Sequence, residues 1–139
     1  MGRVGSLASM AFSGAKIENI TSYVNITAGN NQVGGIIGYI QNDNVTIKNC
    51  KNYGTITGNE LVGGILGGGY KNTSFINCEN HGNITATFIK AGGIAGEKFA
   101  VATMTNCTNG GKVVAGGQEA TSDTGSASNY AGYLIGIAI

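Results

Sequence analysis

One stretch of this chain is written three times. VGGIIGYIQNDNVTIKNCKNYGTITG opens at Val33, VGGILGGGYKNTSFINCENHGNITAT at Val62 and AGGIAGEKFAVATMTNCTNGGKVVAG at Ala91, each 29 residues after the last. Counting back 29 residues from Val33 reaches Val4 and a degenerate copy, VGSLASMAFSGAKIENITSYVNITAG. The pattern restarts at Ala131 in AGYLIG, 40 residues after Ala91. The 139 residues therefore read as a single repeat domain, 1–139. Its units start near 4, 33, 62, 91 and 131, and an insertion of 11 residues falls in a loop at about 117–129. A fixed period constrains the fold more than composition does, because each unit must be one supersecondary element that buries its apolar face on its neighbours.

The element is β rather than α. No window shows apolar residues at i, i+3, i+4 and i+7, and Thr, Ile, Val, Asn and Gly dominate. The 25 glycines recur at fixed offsets among Ile, Val and Leu, which marks ordered, turn-dense strand structure rather than disorder. Three short strands per unit are expected. The first places Leu7, Ile36, Ile65, Ile94 and Leu134 in one column beside the glycines. The second alternates Val45 and Ile47 inward, matched by Thr73 and Phe75, Ala102 and Met104, and Ala15 and Ile17. The third points Ile26, Ile56, Ile84 and Val113 inward. The period predicts an all-β, right-handed parallel β-solenoid of about four coils of 29 residues and a partial fifth.

Two polar columns stand out. Asn19, Asn49, Asn77 and Asn106 close the second strand in every unit. Strict alternation would put them inside, yet the next residue is apolar, so the phase slips there, as a left-handed bend at Asn would allow. Coils about 4.8 Å apart would let these amides hydrogen-bond up the stack as an inner ladder. Asn77→Ala should then be costly and Asn44→Ala nearly neutral. A second column, Asn52, Asn80 and Asn109 with Ser22 in the first unit, reads as a further turn. Cys50, Cys78 and Cys107 share the column of Ile20. A row along one axis cannot converge tetrahedrally on zinc, so these read as reduced, buried thiols, with no metal and no cofactor.

Little else points to chemistry. His81 is the lone histidine and shares a turn column with Tyr23, Tyr53 and Gly110. Charged residues are 11% of the chain and the net charge is +1, which gives no electrostatic footprint for nucleic acid. No apolar run approaches the roughly 18 residues of a spanning helix, so membrane insertion is not expected. Glu18 aligns with Lys48 and Glu79 with Lys51, which suggests cross-coil ion pairs rather than a clustered acid pair for glycoside chemistry. Asn-x-Ser/Thr triplets, among them those at Asn19 and Asn106, read as by-products of an Asn- and Thr-rich repeat.

The GGIIG, GGILG and GGIAG strands followed by NC, N, G and I resemble the GLUG-type repeats of bacterial surface proteins. Such repeats occur in adhesin-like chains and in non-catalytic regions of some immunoglobulin A peptidases. The resemblance covers Val4 to Gly136 and implies a β-solenoid module outside the cell, at the surface or secreted, with no catalytic residues. GSLAS, lacking the Gly-Gly pair, and the insertion depart from the pattern.

Two functions follow as expectations. One is a structural module that stacks head to tail, on itself or on neighbouring repeats of a longer chain, as a stalk or filament segment. Its self-association edge would be Leu134, Ile135, Ile137 and Ile139 in the apolar YLIGIAI. The other is an adhesin-type module that presents a lateral face or the 117–129 loop to a glycan or protein ligand.

Overall fold

The computed structural model describes residues 2–29, 31–42, 44–69, 72–98 and 102–138. The described strands form five sheets that run along one stack, and each of the four full coils contributes one short parallel strand to each sheet in turn. Sheet 1 comprises Arg3–Val4, Gln32–Gly34, Leu61–Gly63, Lys90–Gly92 and Ala131–Gly132. Sheet 2 comprises Ala8–Ala11, Ile37–Ile40, Leu66–Gly69, Ala95–Lys98 and Ile135–Ala138. Sheet 3 holds Lys16–Glu18, Val45–Lys48, Thr73–Ile76 and Thr103–Thr105, and sheet 4 holds Thr21–Ser22, Lys51–Asn52, Glu79–Asn80 and Thr108–Asn109. Sheet 5 comprises Ile26–Thr27, Ile56–Gly58, Ile84–Ala86 and Val113–Ala115, with Gln118–Glu119 added antiparallel at one edge.

The repeat openings are register partners. Val4 faces Val33, Val33 faces Val62, Val62 faces Ala91 and Ala91 faces Ala131. The 29-residue period is thus one turn of an all-β parallel solenoid. The sheet 3 register shifts locally, pairing Ile17 with Ile47 and Ile47 with Phe75, because coil-to-coil turns gain or lose a residue without moving the columns. Among the described residues each of the four full coils has five strands rather than the three expected, since bends at Gly35-Ile36 and Asn49-Cys50 divide what periodicity joins.

The bend at Asn is left-handed in every coil, with φ of 59° at Asn19, 54° at Asn49, 53° at Asn77 and 51° at Asn106. A left-handed residue interrupts the pleat, so the alternation restarts one residue late. The following Cys50 and Cys78 turn inward, and the Asn side chains turn out. Asn19, Asn77 and Asn106 are exposed and Asn49 is half-buried. Their ladder forms, with Asn49 Nδ2 donating to Asn19 Oδ1 at 3.2 Å and Asn77 Nδ2 to Asn49 Oδ1 at 3.3 Å, but it runs along the surface. The inner ladder expected at these residues is therefore displaced outward.

A prediction follows for this column. Asn77→Ala should cost about 1–2 kcal/mol, the penalty of a left-handed alanine, and Asn77→Gly should melt close to wild type. If glycine were as damaging as alanine in thermal melts, the surface amide bonds would be the stabilising feature instead. Asn44, with φ of 64°, carries the same backbone constraint, so Asn44→Ala is not neutral either.

The interior is two apolar lobes. One is built from Ile36, Ile40, Ile47, Cys50, Ile65, Phe75 and Cys78, and the other from Val33, Ile56, Val62, Ile84 and Val113. The chain pinches between them at the second glycine of each Gly-Gly pair. A Cβ on Gly35 would stand 2.8 Å from Asn52 Oδ1, across the interior, and 2.0 Å from the Gly64 carbonyl of the next coil. None of these paired glycines has a positive φ, so they are needed for close approach and not for turn geometry.

Candidate functional site: the ladders and the two end faces

The buried polar row belongs to the second Asn column. Asn52 and Asn80 are fully buried. Asn52 Nδ2 donates to Asn80 Oδ1 at 2.8 Å, and Asn80 Nδ2 donates to Asn109 Oδ1 at 2.7 Å. Each amide also closes its own turn, donating to the carbonyl of Gly54, Gly82 or Gly111 at 2.9, 2.7 and 2.9 Å. In coil 1 the pair Gly35 and Asn52 is replaced by Ser6 and Ser22, a larger residue at one position and a smaller one at the other. The alignment of Asn52, Asn80 and Asn109 was legible, but turn chemistry masked its burial.

The thiol row lies in the first lobe. Cys50 and Cys78 are fully buried, Cys107 is half-exposed, and all three are free. Their Sγ atoms donate to backbone carbonyls: Cys50 to Lys48 at 3.4 Å, Cys78 to Ile47 and Ile76 at 3.5 Å, and Cys107 to Thr105 at 3.5 Å. Hydrogen bonding with Cys107, then with Cys50, and then burial push the Cys78 thiol far above its ordinary range. At the accessible end of the row, hydrogen bonding with Cys78 draws Cys107 down to about 7.

Iodoacetamide should therefore label Cys107 first in the native protein, as mass spectrometry of the peptides would show. Cys50 and Cys78 should react only on unfolding, giving three free thiols without reductant. Equal native labelling of all three would contradict the burial.

On the outer face of the turn that follows sheet 4, the rings of Tyr23 and Tyr53 stack with centroids 5.0 Å apart, and Tyr53 stacks on His81 at 4.6 Å. His81 Nε2 lies 3.2 Å from Glu79 Oε1, and Lys51 Nζ lies 3.1 Å from Glu79 Oε2. The hydrogen bond from Lys51, then that from His81, holds the Glu79 carboxyl below the usual carboxylate range. Glu18 and Lys48 are register partners but do not close to an ion pair. Among the described residues, no group of three or more His, Cys, Asp or Glu is placed to hold a metal ion, and no helix is long and apolar enough to cross a membrane. Asn19 and Asn106, which begin two of the Asn-x-Ser/Thr triplets, are exposed.

The two ends of the stack differ. Coil 1 turns its outer edge to solvent: Leu7 is 53% exposed, Val24 52% and Tyr23 72%, whereas their column partner Ile36 is at 0% and Tyr53 at 40%. With Ser6, Ile20, Thr21 and Ser22, these three line an end hollow of about 400 Å³.

At the other end the insertion folds back onto the stack. Gln118–Glu119 pairs antiparallel with Val113–Ala115, and Ala120 is buried against the second lobe. Tyr133 N donates to Ser122 O at 2.8 Å, and Leu134 N and Ile135 N both donate to Asp123 O, at 2.9 and 3.0 Å. Gly125 N donates to Ile135 O at 2.9 Å. The edge expected to be bare is thus occupied at Leu134 and Ile135. Ile137 is half-buried, and Ile139 lies outside the described residues. The 117–129 segment thus seats on the edges of sheets 1, 2 and 5, while most of its residues stay exposed and a hollow of about 470 Å³ remains beside Cys107, Thr108 and Asn109.

A crystal structure from Bacteroides ovatus, titled as a "putative immunoglobulin A1 protease", superposes with a TM-score of 0.70 at 23% sequence identity. The likeness covers 99% of this chain and 45% of that one, so the chain spans under half of its neighbour. The two share a fold. No family model matches the sequence, and no curated protein matches it.

Proposed function

We propose that this chain is a non-catalytic structural module of a surface or secreted protein, a rigid solenoid segment of a stalk that joins end-on to a further β-coil through its coil 1 face. The observation that carries this reading is the state of that face. Leu7 and Val24 are each more than half exposed at positions of the lattice that an added coil would cover. The backbone edges, the aromatic stack and the apolar columns run through the inner coils and reach coil 1 without a further partner among the described residues.

An extracellular setting is supported by the GLUG-type resemblance and by the shared fold with a protein titled as acting on an immunoglobulin. The protease named there is not carried over as an activity, since more than half of that chain lies outside the likeness. A ligand-presenting role for the insertion is less favoured, because the Ser122–Gly125 backbone is seated on the last coil and residues 117–129 include no aromatic ring for a sugar. Tyr53 is stacked on both sides, by Tyr23 and His81, and the open face of Tyr23 lies at the coil 1 end that a joining coil would cover.

Sedimentation velocity across a concentration series tests the proposal. Wild-type protein should self-associate no further than a pair joined coil 1 to coil 1, and the double variant Leu7→Lys, Val24→Lys, changed only at exposed positions, should remain monomeric. Wild type that stays monomeric at every concentration, or associates regardless of the two lysines, would refute the coil 1 face as the joining surface.

A further inference from the structure

We infer that Ser122–Gly125 is a decoy coil that stops stacking at the carboxy-terminal end of the solenoid. The inference rests on the end-on reading above and gives it a direction. Inside the stack, the Gly64 amide donates to Gly93 O at 3.0 Å, and the Ile65 and Leu66 amides both donate to Ile94 O, at 3.0 and 2.9 Å. At the last coil, Tyr133 donates to Ser122 O, and Leu134 and Ile135 both donate to Asp123 O, at matching distances of 2.8, 2.9 and 3.0 Å. Ser122 and Asp123 thus stand where the Gly and Ile of a sixth coil would stand. The match extends to Gly125, whose absent Cβ would fall 2.0 Å from the Gly136 carbonyl, much as one on Gly136 would fall 2.4 Å from the Gly96 carbonyl.

The backbone imitates a coil, but the side chains do not. Asp123 replaces the inward Ile or Leu of its column and is exposed, as are Ser122 and Thr124. Gln118 and Glu119 are exposed on the strand that covers sheet 5, and that strand runs antiparallel to the stack. A polar, reversed edge of this kind satisfies the groups beneath it and offers no lattice for the next coil. The excluded occupant is the coil 1 edge of a second copy. Its Val4 and Leu7 continue the columns of Ala131 and Leu134, so it would pair on the sheet 1 and sheet 2 strands of the last coil if the decoy were gone.

Gly125→Val tests this, since any Cβ there strikes the Gly136 carbonyl and lifts the decoy while leaving the inner coils untouched. Deleting residues 119–129, which restores a 29-residue spacing between Ala91 and Ala131, is the second variant and serves if valine leaves the decoy seated. Hydrogen exchange reports seating through the Tyr133, Leu134 and Ile135 amides, which should be protected in wild type and should exchange in the variants when these also carry Leu7→Lys and Val24→Lys, so that no second copy takes the decoy's place. Circular dichroism should show the β-solenoid retained. With the decoy displaced, sedimentation should show species larger than any that wild type forms, and adding Leu7→Lys and Val24→Lys should abolish the gain.

Folded variants with exposed amides but wild-type sedimentation would overturn the decoy and leave the coil 1 reading standing. Wild type that already grows without limit would do the same. A gain that survives the two lysines would overturn coil 1 as the occupant. Wild type and variants that are all monomeric would overturn both readings together.

Discussion

Gly64→Ala is expected to unfold the inner coils, with a loss of about 5 kcal/mol or more, at the extreme of what one substitution does. The added methyl would lie 2.2 Å from the Gly93 carbonyl of the next coil and 2.4 Å from Asn80 Oδ1. The first obstacle is backbone in a parallel sheet, where coils sit about 4.8 Å apart and cannot open at one point without breaking ladder bonds on either side. The second is a fully buried amide with no other rotamer that keeps its three partners. No flexible side chain can give way. Gly29→Ala is the control, because a Cβ there meets nothing within 4 Å and the backbone is not left-handed. It should melt at or slightly above wild type, since alanine restricts the unfolded chain. A Gly64→Ala protein that melts together with the Gly29→Ala control would show that the coils are not packed backbone to backbone at the Gly-Gly pair.

Asn80→Ala is expected to cost about 3–5 kcal/mol, well above the loss at Asn77. Removing this one amide breaks three bonds: the carbonyl of Gly82 loses its side-chain donor, Asn52 Nδ2 keeps only Gly54 O, and Asn109 Oδ1 keeps only Gly111 N. The position is fully buried, and each buried group that loses its bond costs about 1–3 kcal/mol. Asn80→Asp should be worse despite its equal size, because it loses both donors, faces the Asn109 oxygen with another oxygen and buries a charge. The decisive comparison is the order of thermal stability, Asn77→Gly above Asn77→Ala above Asn80→Ala above Asn80→Asp. If Asn77→Ala fell below Asn80→Ala, the surface row would be the structural ladder after all.

The two Asn columns show where sequence reading stops. Both recur at the same spacing, and both are followed by turn residues. The phase slip at Asn49 and its left-handed cause could be read from Cys50 being apolar. The side to which each amide points could not, because a left-handed residue resets the alternation that pattern reasoning relies on. Only the close approach of Gly35 to Asn52 shows which row is inside. That pairing joins residues from opposite walls of one coil, and no local pattern links them. In hindsight the co-occurring replacement of Gly35 by Ser6 and Asn52 by Ser22 in coil 1 was a faint signal of contact.

The insertion repeats the lesson. SDTG, read as a polar loop, has the glycine spacing of GIAG with its apolar residues replaced, and it seats on the last coil through main-chain bonds alone. Any extended segment could make those bonds.

By itself the sequence determined the period, the parallel solenoid, the inward Ile and Val columns, the thiol row and the left-handed Asn bend. Each of these is local or periodic: spacing sets which residues stack, and a residue's own side chain sets whether a strand or a left-handed turn is tolerable. The tertiary structure alone decided that Asn52, Asn80 and Asn109 are the buried ladder, that the glycine pairs serve contact between coils, and that the insertion covers the end at Leu134 and Ile135. These depend on which backbone groups the finished stack leaves unpaired, and such vacancies exist only once the coils have closed on one another.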